Sequence, residues 1–72
     1  MDRIEFLEKM KNILQTENNL NFETNLIDIE EWDSLSMITT IAFLDKDFGK
    51  RVTFQDMQNI NTINDLANIA GV

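Results

Sequence analysis

The chain has 72 residues, enough for one small domain with a single hydrophobic core. Thirteen acidic and six basic side chains give a net charge of −7, which disfavours nucleic acid as a partner because nucleic-acid affinity depends on neutralising phosphates with Lys and Arg. The chain contains no Cys and no His, which excludes disulfides, thiolate chemistry, the usual zinc sites and histidine-based acid–base catalysis.

The first helix is predicted over residues 2 to about 15. Its apolar side chains recur at helical offsets and predict a core-facing stripe of Phe6, Met10, Ile13 and Leu14. Its polar face is not enriched in Lys and Arg, which disfavours membrane binding. The chain has no apolar leader and no stretch of the roughly 18 apolar residues that a membrane span needs. We therefore expect a cytoplasmic protein. We also expect it to be a monomer.

A long polar segment from Gln15 to Trp32 separates the first two helices. Its Asn and Thr residues are turn formers, and a loop of this length in a compact domain normally has a function or anchors of its own. We expect an ordered loop with a short turn around residues 24–29. The predicted anchors are Leu20, Phe22, Leu26, Ile29 and Trp32. The Trp32 ring either closes one end of the core or contacts a partner.

Asp33 and Ser34 mark the start of the second helix, which is predicted to run to about Asp47. Asp33 is a good N-cap because its carboxylate can accept hydrogen bonds from backbone N–H groups left unpaired in the first turn. Ser34 is then exposed in that turn, beside the positive end of the helix dipole. Free N–H groups and the dipole together favour a phosphate at such a position.

The second helix has an apolar stripe predicted to face inward, which consists of Met37, Ile41, Leu44 and Phe48. Thr40 adjoins this stripe, and its hydroxyl is expected to donate to the Ser36 carbonyl. Leu35 and Ile38 lie on a different face, near Ser34. They are candidates either for docking a partner enzyme or for packing against the long loop.

Two shorter helices are predicted after Gly49, which is expected to end the second helix. Thr53 and Thr62 each precede an acidic residue by three positions, a spacing typical of a helix N-cap. A short third helix through residues 54–60 and a fourth helix that stops at Gly71 follow from these caps. The predicted buried positions of the fourth helix are Ile63, Leu66, Ala67, Ile69 and Ala70.

Residues 45–56 superficially match a calcium-binding loop. Gly49 occupies the fifth position, where the loop needs an oxygen ligand, and Lys50 occupies the sixth, where it needs glycine. We therefore expect no metal site. We also expect no catalytic residue, because Ser34 has no His or Cys to activate it and the carboxylates look like solvated charges.

The tripeptide Asp33-Ser34-Leu35 resembles the attachment motif of the acyl carrier proteins, in which the serine carries a phosphopantetheine arm. The resemblance covers most of the chain, from the amphipathic first helix through the long loop to the last helix. It implies an all-α fold: a small bundle of three main helices plus one short helix, with the long loop between the first and second helices. Residues 1–72 would form a single carrier domain.

The resemblance also implies a function. Ser34 would covalently hold 4′-phosphopantetheine, whose terminal thiol carries an acyl group as a thioester for presentation to partner enzymes. Asp33 would cap the helix and aid recognition by a phosphopantetheinyl transferase, with Leu35, Ile38 and Trp32 as docking candidates. The other expected partners are acyl ligases, acyltransferases or synthases of fatty-acid or polyketide biosynthesis that have basic or apolar docking surfaces.

Two alternatives remain at this point: an aminoacyl or peptidyl carrier, and an unmodified acidic helical module for protein interactions. The chain also departs from the family. Ser36 and Thr39 occupy a surface where many fatty-acid carriers have acids, so we expect a specialised stand-alone carrier. Phe43 is bulky where a smaller residue is common. If it faces inward, it limits an internal acyl cavity; the other interpretation is a rearranged core of equal volume.

Overall fold

The computed structural model describes residues 1–72 as four α-helices and one 3₁₀ turn. In chain order these are α1 (Arg3–Leu14), the 3₁₀ turn (Leu26–Asp28), α2 (Ser34–Phe48), α3 (Phe54–Asn59) and α4 (Ile63–Ala70). The molecule measures 28 × 26 × 18 Å. None of its helices combines the length and the apolar composition needed to cross a membrane. The predicted all-α fold, with a short third helix and a long loop before α2, is confirmed.

Every helix begins with a capping box, in which the cap side chain and the third helical residue exchange hydrogen bonds. The four pairs are Asp2–Glu5, Asp33–Ser36, Thr53–Asp56 and Thr62–Asp65. These reciprocal bonds satisfy N–H groups that the helix itself leaves unpaired. The caps predicted at Asp33, Thr53 and Thr62 are confirmed.

Three of the helices end at a residue in the left-handed backbone region. Gly49 after α2 has φ 65° and Gly71 after α4 has φ 85°, as predicted for residues that have no Cβ to clash. The first helix ends at Gln15, which adopts φ 53°. The backbone of Gln15 is therefore strained in a way that glycine would not be.

The core is one cluster of eleven buried side chains: Phe6, Met10, Leu14, Leu26, Ile29, Leu44, Met57, Ile63, Leu66, Ala67 and Ala70. The Phe6 ring lies 5.8 Å from the ring of Phe43 and 6.0 Å from the ring of Phe48, measured between centroids. Phe6 lies near the start of α1, and both partner rings lie near the end of α2. The two helices are therefore antiparallel.

The buried face of α2 differs from the prediction. Of the predicted stripe only Leu44 is fully buried, and the other three side chains are partly exposed. The buried positions of α2 are Ser36, Thr40 and Leu44. The helix contacts both α1 and α3, so its buried centre lies between those two contact surfaces rather than along its most apolar line.

The two buried hydroxyls of α2 are satisfied by backbone carbonyls. The Ser36 hydroxyl donates to the Glu31 carbonyl at 2.9 Å, and the Thr40 hydroxyl donates to the Ser36 carbonyl at 2.8 Å. The second bond confirms the prediction for Thr40. Because both groups have partners, small polar residues are tolerated on a face that the apolar pattern did not identify.

The long loop is ordered and anchored, as predicted. Leu26 and Ile29 are buried, and the other three predicted anchors, Leu20, Phe22 and Trp32, pack partly buried against the core. Its backbone also pairs with the α3–α4 connection through three bonds: Leu26 N–H to the Asn61 carbonyl at 2.8 Å, Ile63 N–H to the Thr24 carbonyl at 3.2 Å, and Asn64 N–H to the Phe22 carbonyl at 2.9 Å. The loop thus fixes the entry to α2.

The fourth helix buries Ile63, Leu66, Ala67 and Ala70, which confirms four of the five predicted positions. Ile69 is partly exposed instead. The four buried side chains share one face at offsets of three, four and seven, and Ile69 lies at the edge of that face.

The Asp65 carboxylate holds two backbone amides at the start of α4. It accepts from Asn61 N–H at 2.8 Å and from Thr62 N–H at 3.1 Å. These two backbone bonds, the one from Asn61 first, together with a bond from the Thr62 side chain, outweigh partial desolvation. They hold the pKa of Asp65 below its ordinary value of 3.8.

Because this folded-state pKa is depressed, Asp65 contributes stability above about pH 4 that is lost as the pH falls through the folded-state pKa. Asp65→Asn is expected to lower the free energy of unfolding at pH 7 by about 1 kcal/mol, a value reduced for solvent screening. It should also weaken the acid dependence of stability below about pH 4. Urea unfolding at pH 7 and below about pH 4 measures both changes in the free energy of unfolding. The control is Asp28→Asn, an exposed acid that caps no helix; equal losses in the two variants would contradict the assignment.

Candidate functional site

Ser34 is the first residue of α2, and its side chain is exposed. The preceding Asp33 is extended, with φ −133° and ψ −174°, which turns the chain sharply into the helix. The Ser34 hydroxyl makes no hydrogen bond to the protein, in contrast to the hydroxyl of Ser36. The exposure predicted for Ser34 is therefore confirmed.

The first turn of α2 also has open backbone amides. The Ser36 N–H donates to Asp33 Oδ1 at 3.0 Å, and the Met37 N–H donates to the Asp33 carbonyl at 2.9 Å. The N–H groups of Ser34 and Leu35 have no acceptor in the protein. An anionic oxygen attached near the Ser34 hydroxyl would meet free donors and the positive end of the helix dipole. The residues present therefore fit an esterified phosphate.

The capping bonds hold this turn rigid from both sides. The Asp33 N–H donates to Ser36 Oγ at 2.9 Å, and the Ser36 hydroxyl in turn donates to the Glu31 carbonyl. Ser36 is only 5% exposed, so the prediction that it lies on the surface is wrong; of that pair only Thr39 is exposed. The sequence signal for the role of Ser36 is its spacing three residues after Asp33.

Two apolar side chains stand in solvent beside Ser34. Leu35 is 73% exposed and Ile38 is 56% exposed, so the interpretation that they pack against the loop is wrong. Trp32 is partly buried and packs on the core, in agreement with a ring that closes one end of the core. It also lines a small pocket of about 340 Å³ with Ile27, Met37 and Gln58.

Ile27 was not identified from the sequence, although it is 90% exposed. It belongs to the 3₁₀ turn, between the buried Leu26 and the acidic Asp28. No periodicity extends over so short a turn, so the pattern alone does not show which of two adjacent apolar residues faces solvent.

A groove of about 800 Å³ lies between α1 and α2. At the Ser34 end it is lined by Glu31, Asp33 and Leu35, and at the far end by Phe43 and Lys46. Nine of its fourteen lining residues are polar and five are apolar. Phe43 is partly buried against Phe6 and Phe48, so it contributes to the core and also forms part of the groove wall.

No group of three or more Cys, His, Asp or Glu side chains lies together in an arrangement that could hold a metal ion. In the segment that resembles a calcium loop, Asp45 belongs to α2. The Asp56 carboxylate accepts from Thr53 N–H at 2.9 Å and caps α3. The ends of this segment thus belong to two different helices.

A family model described as the phosphopantetheine attachment site matches residues 5–70. The chain belongs to this family. Members of the family carry 4′-phosphopantetheine covalently and act as carriers rather than catalysts. A carrier of this family interacts with the transferase that attaches the cofactor and with biosynthetic enzymes. The search of curated proteins and the search of solved structures gave no match.

Proposed function

We propose that the chain is an acyl carrier domain in which Ser34 is the residue that holds the cofactor. One observation carries this proposal: Ser34 has a free, exposed hydroxyl at the first position of a helix whose first two amides are open. The only other serine, Ser36, is buried and hydrogen-bonded. Asp33 supports the site by capping the helix, and its position next to Ser34 also makes it a candidate for transferase recognition.

When bound, the cofactor supplies a terminal thiol, which can hold an acyl group as a thioester. The chain contains no Cys of its own. Its own residues keep the hydroxyl accessible and hold the helix start in one conformation. The loop anchors before α2 add to this rigidity, because they fix the direction from which the chain enters the helix.

The direct test is incubation with coenzyme A and a phosphopantetheinyl transferase, followed by intact mass spectrometry. The proposal predicts a shift of the whole population by the mass of one phosphopantetheinyl group. A protein that stays unmodified with transferases of broad specificity would instead support the alternative of an unmodified interaction module.

Mass spectrometry of the protein isolated from its native cell identifies the cargo. An acyl mass on the arm supports the acyl carrier proposal. An aminoacyl or peptidyl mass would show an aminoacyl or peptidyl carrier instead.

We also propose that Leu35 and Ile38 form the docking face, with Trp32 as a candidate at its edge. Positions three apart lie on one side of a helix, and both side chains are largely in solvent. Residues 34–44 contain no acid, so a partner that approaches Ser34 along α2 meets apolar groups first. The acids of the preceding loop, including Glu30 and Asp28, favour a basic rim on that partner.

The double variant Leu35→Ala/Ile38→Ala is expected to lower kcat/KM for loading by the transferase roughly tenfold, which corresponds to about 1.4 kcal/mol of lost contact energy. Folding stability should change little because both side chains are exposed. Initial rates of loading measure the effect. Ile4→Ala is the matched control, since Ile4 is 71% exposed on α1. If the double variant is loaded as fast as the control, Leu35 and Ile38 have no docking role.

A further inference from the structure

We infer that the α1–α2 groove is the resting place of the tethered arm, and that Glu31 is its positioning residue. This inference rests on the proposed attachment at Ser34. The groove begins beside the two neighbours of that serine, Asp33 and Leu35, and continues to Asp47. It therefore follows α2 for about 21 Å at 1.5 Å per residue. Ser34 does not itself line the groove. An arm tethered there enters it past Leu35, which lies about 100° around the helix from Ser34.

The lining of the groove matches the chemistry of the arm, which alternates amide and hydroxyl groups with short methylene segments. Asn12 and Gln15 contribute side-chain amides from the α1 side. Thr39 contributes a hydroxyl from α2 whose proton is donated to the Leu35 carbonyl at 2.9 Å, which leaves Oγ1 as an acceptor. Ile13 and Ala42 supply apolar contacts between these polar groups.

Glu31 provides independent evidence that the groove holds the arm. It lines the groove at the Ser34 end, and its Oε1 atom is buried without a hydrogen-bond partner. A desolvated carboxylate oxygen without a donor is unfavourable. The terminal torsion of Glu is soft, so a small rotation presents the carboxylate to a donor in the groove. The hydroxyl and amide N–H groups nearest the phosphate of the arm are donors of this kind.

The second pocket is a poorer match. Its volume is about 340 Å³, and three of its four lining residues, Ile27, Trp32 and Met37, are apolar. Hydrogen-bonding groups of the arm would lose water there without gaining partners. The groove is the better site for the arm because nine of its fourteen lining residues are polar and can offer hydrogen-bond partners. The smaller pocket serves as the comparison in the experiment.

The test compares ¹⁵N-labelled apo- and holo-protein by NMR after mass spectrometry has shown that the arm is attached. We expect displaced amide signals at Asn12, Thr39 and Ala42, and nuclear Overhauser contacts from arm protons to Ile13. Displacements confined to residues 33–35, or arm contacts to the Ile27–Trp32 pocket, would overturn the inference while leaving the proposed function intact. A protein that gains no arm would overturn both.

Three variants separate positioning from a general structural role. Glu31→Ala should reduce the displacements at Asn12 and Thr39 by half or more, and Glu31→Gln should restore part of them because it retains an acceptor oxygen. Glu30→Ala is the matched control, an exposed neighbour that does not line the groove. Equal effects of Glu31→Ala and Glu30→Ala, or no restoration by Gln, would overturn the role of Glu31. All three variants must load with the arm to the same extent as the wild type.

Discussion

Ser34→Ala is expected to abolish modification by coenzyme A and a phosphopantetheinyl transferase, so that no holo-protein is detected by intact mass. The variant should nevertheless fold as the wild type does. The Ser34 side chain is exposed and makes no hydrogen bond to the protein, and exposed substitutions of this kind change stability by about 0.5 kcal/mol or less. The loss would therefore report the missing nucleophile rather than a damaged domain.

Ser36→Ala is the matched control because Ser36 is the only other serine. This variant removes half of a capping box and should cost about 1 kcal/mol of stability, but it should still be loaded. The opposite pattern, with loading retained in Ser34→Ala and lost in Ser36→Ala, would transfer the attachment to a hydroxyl that now lies 5% exposed. That result would require the start of α2 to open.

Phe6→Ala is expected to be the most destabilising single change, at about 3–5 kcal/mol. Phe6 is fully buried and its ring contacts Phe43 and Phe48. It therefore joins α1 to the end of α2, and its truncation removes the centre of an aromatic cluster. A domain of this size is stable by about 4–11 kcal/mol in total, so the variant should be close to unfolding. Urea denaturation at pH 7 measures the difference.

Ile4→Ala supplies the comparison from the same helix. Ile4 is 71% exposed, so its truncation should change the free energy of unfolding by about 0.5 kcal/mol or less. Similar values for the two variants would show that α1 does not dock through Phe6. If Phe6→Ala lowers the free energy of unfolding by less than about 1.5 kcal/mol, Phe43 and Phe48 collapse into the space left by the ring.

The starts of α2, α3 and α4 and the ends of α2 and α4 were predictable because local chemistry specifies them. The threonine caps at Thr53 and Thr62 each precede an acid at the correct spacing, and Gly49 and Gly71 adopt the left-handed conformation that ends a helix. These signals depend on neighbours within four residues of one chain segment. They therefore need no knowledge of the tertiary fold.

The buried face of α2 was not predictable in the same way. Hydrophobic periodicity selected the line through Met37 and Ile41, but the helix packs between two neighbours and buries Ser36 and Thr40 instead. A side chain with a local hydrogen bond can occupy the centre of a contact that its polarity would exclude. Which line is central depends on where α1 and α3 lie, and the sequence of α2 does not contain that information.

The candidate site was likewise only partly predictable from the sequence. The position of Ser34 at an open helix start followed from Asp33 and from the change in apolar pattern after it, and the structure agrees. The exposure of Ile27 and the unpartnered oxygen of Glu31 were not visible in the sequence. The exposure of Ile27 depends on how the loop folds back onto the α3–α4 connection. The position of Glu31 depends on how the end of the loop meets the groove between α1 and α2. Both are set by contacts between residues far apart in the chain.

The most direct test of the central claim is fragmentation mass spectrometry of the holo-protein, which locates the added group along the chain. N-terminal fragments that end at Asp33 are expected to be unmodified, and N-terminal fragments that extend through Ser34 are all expected to carry the phosphopantetheinyl mass. Added mass that first appears at Ser36 or at a threonine would contradict the assignment of the attachment residue.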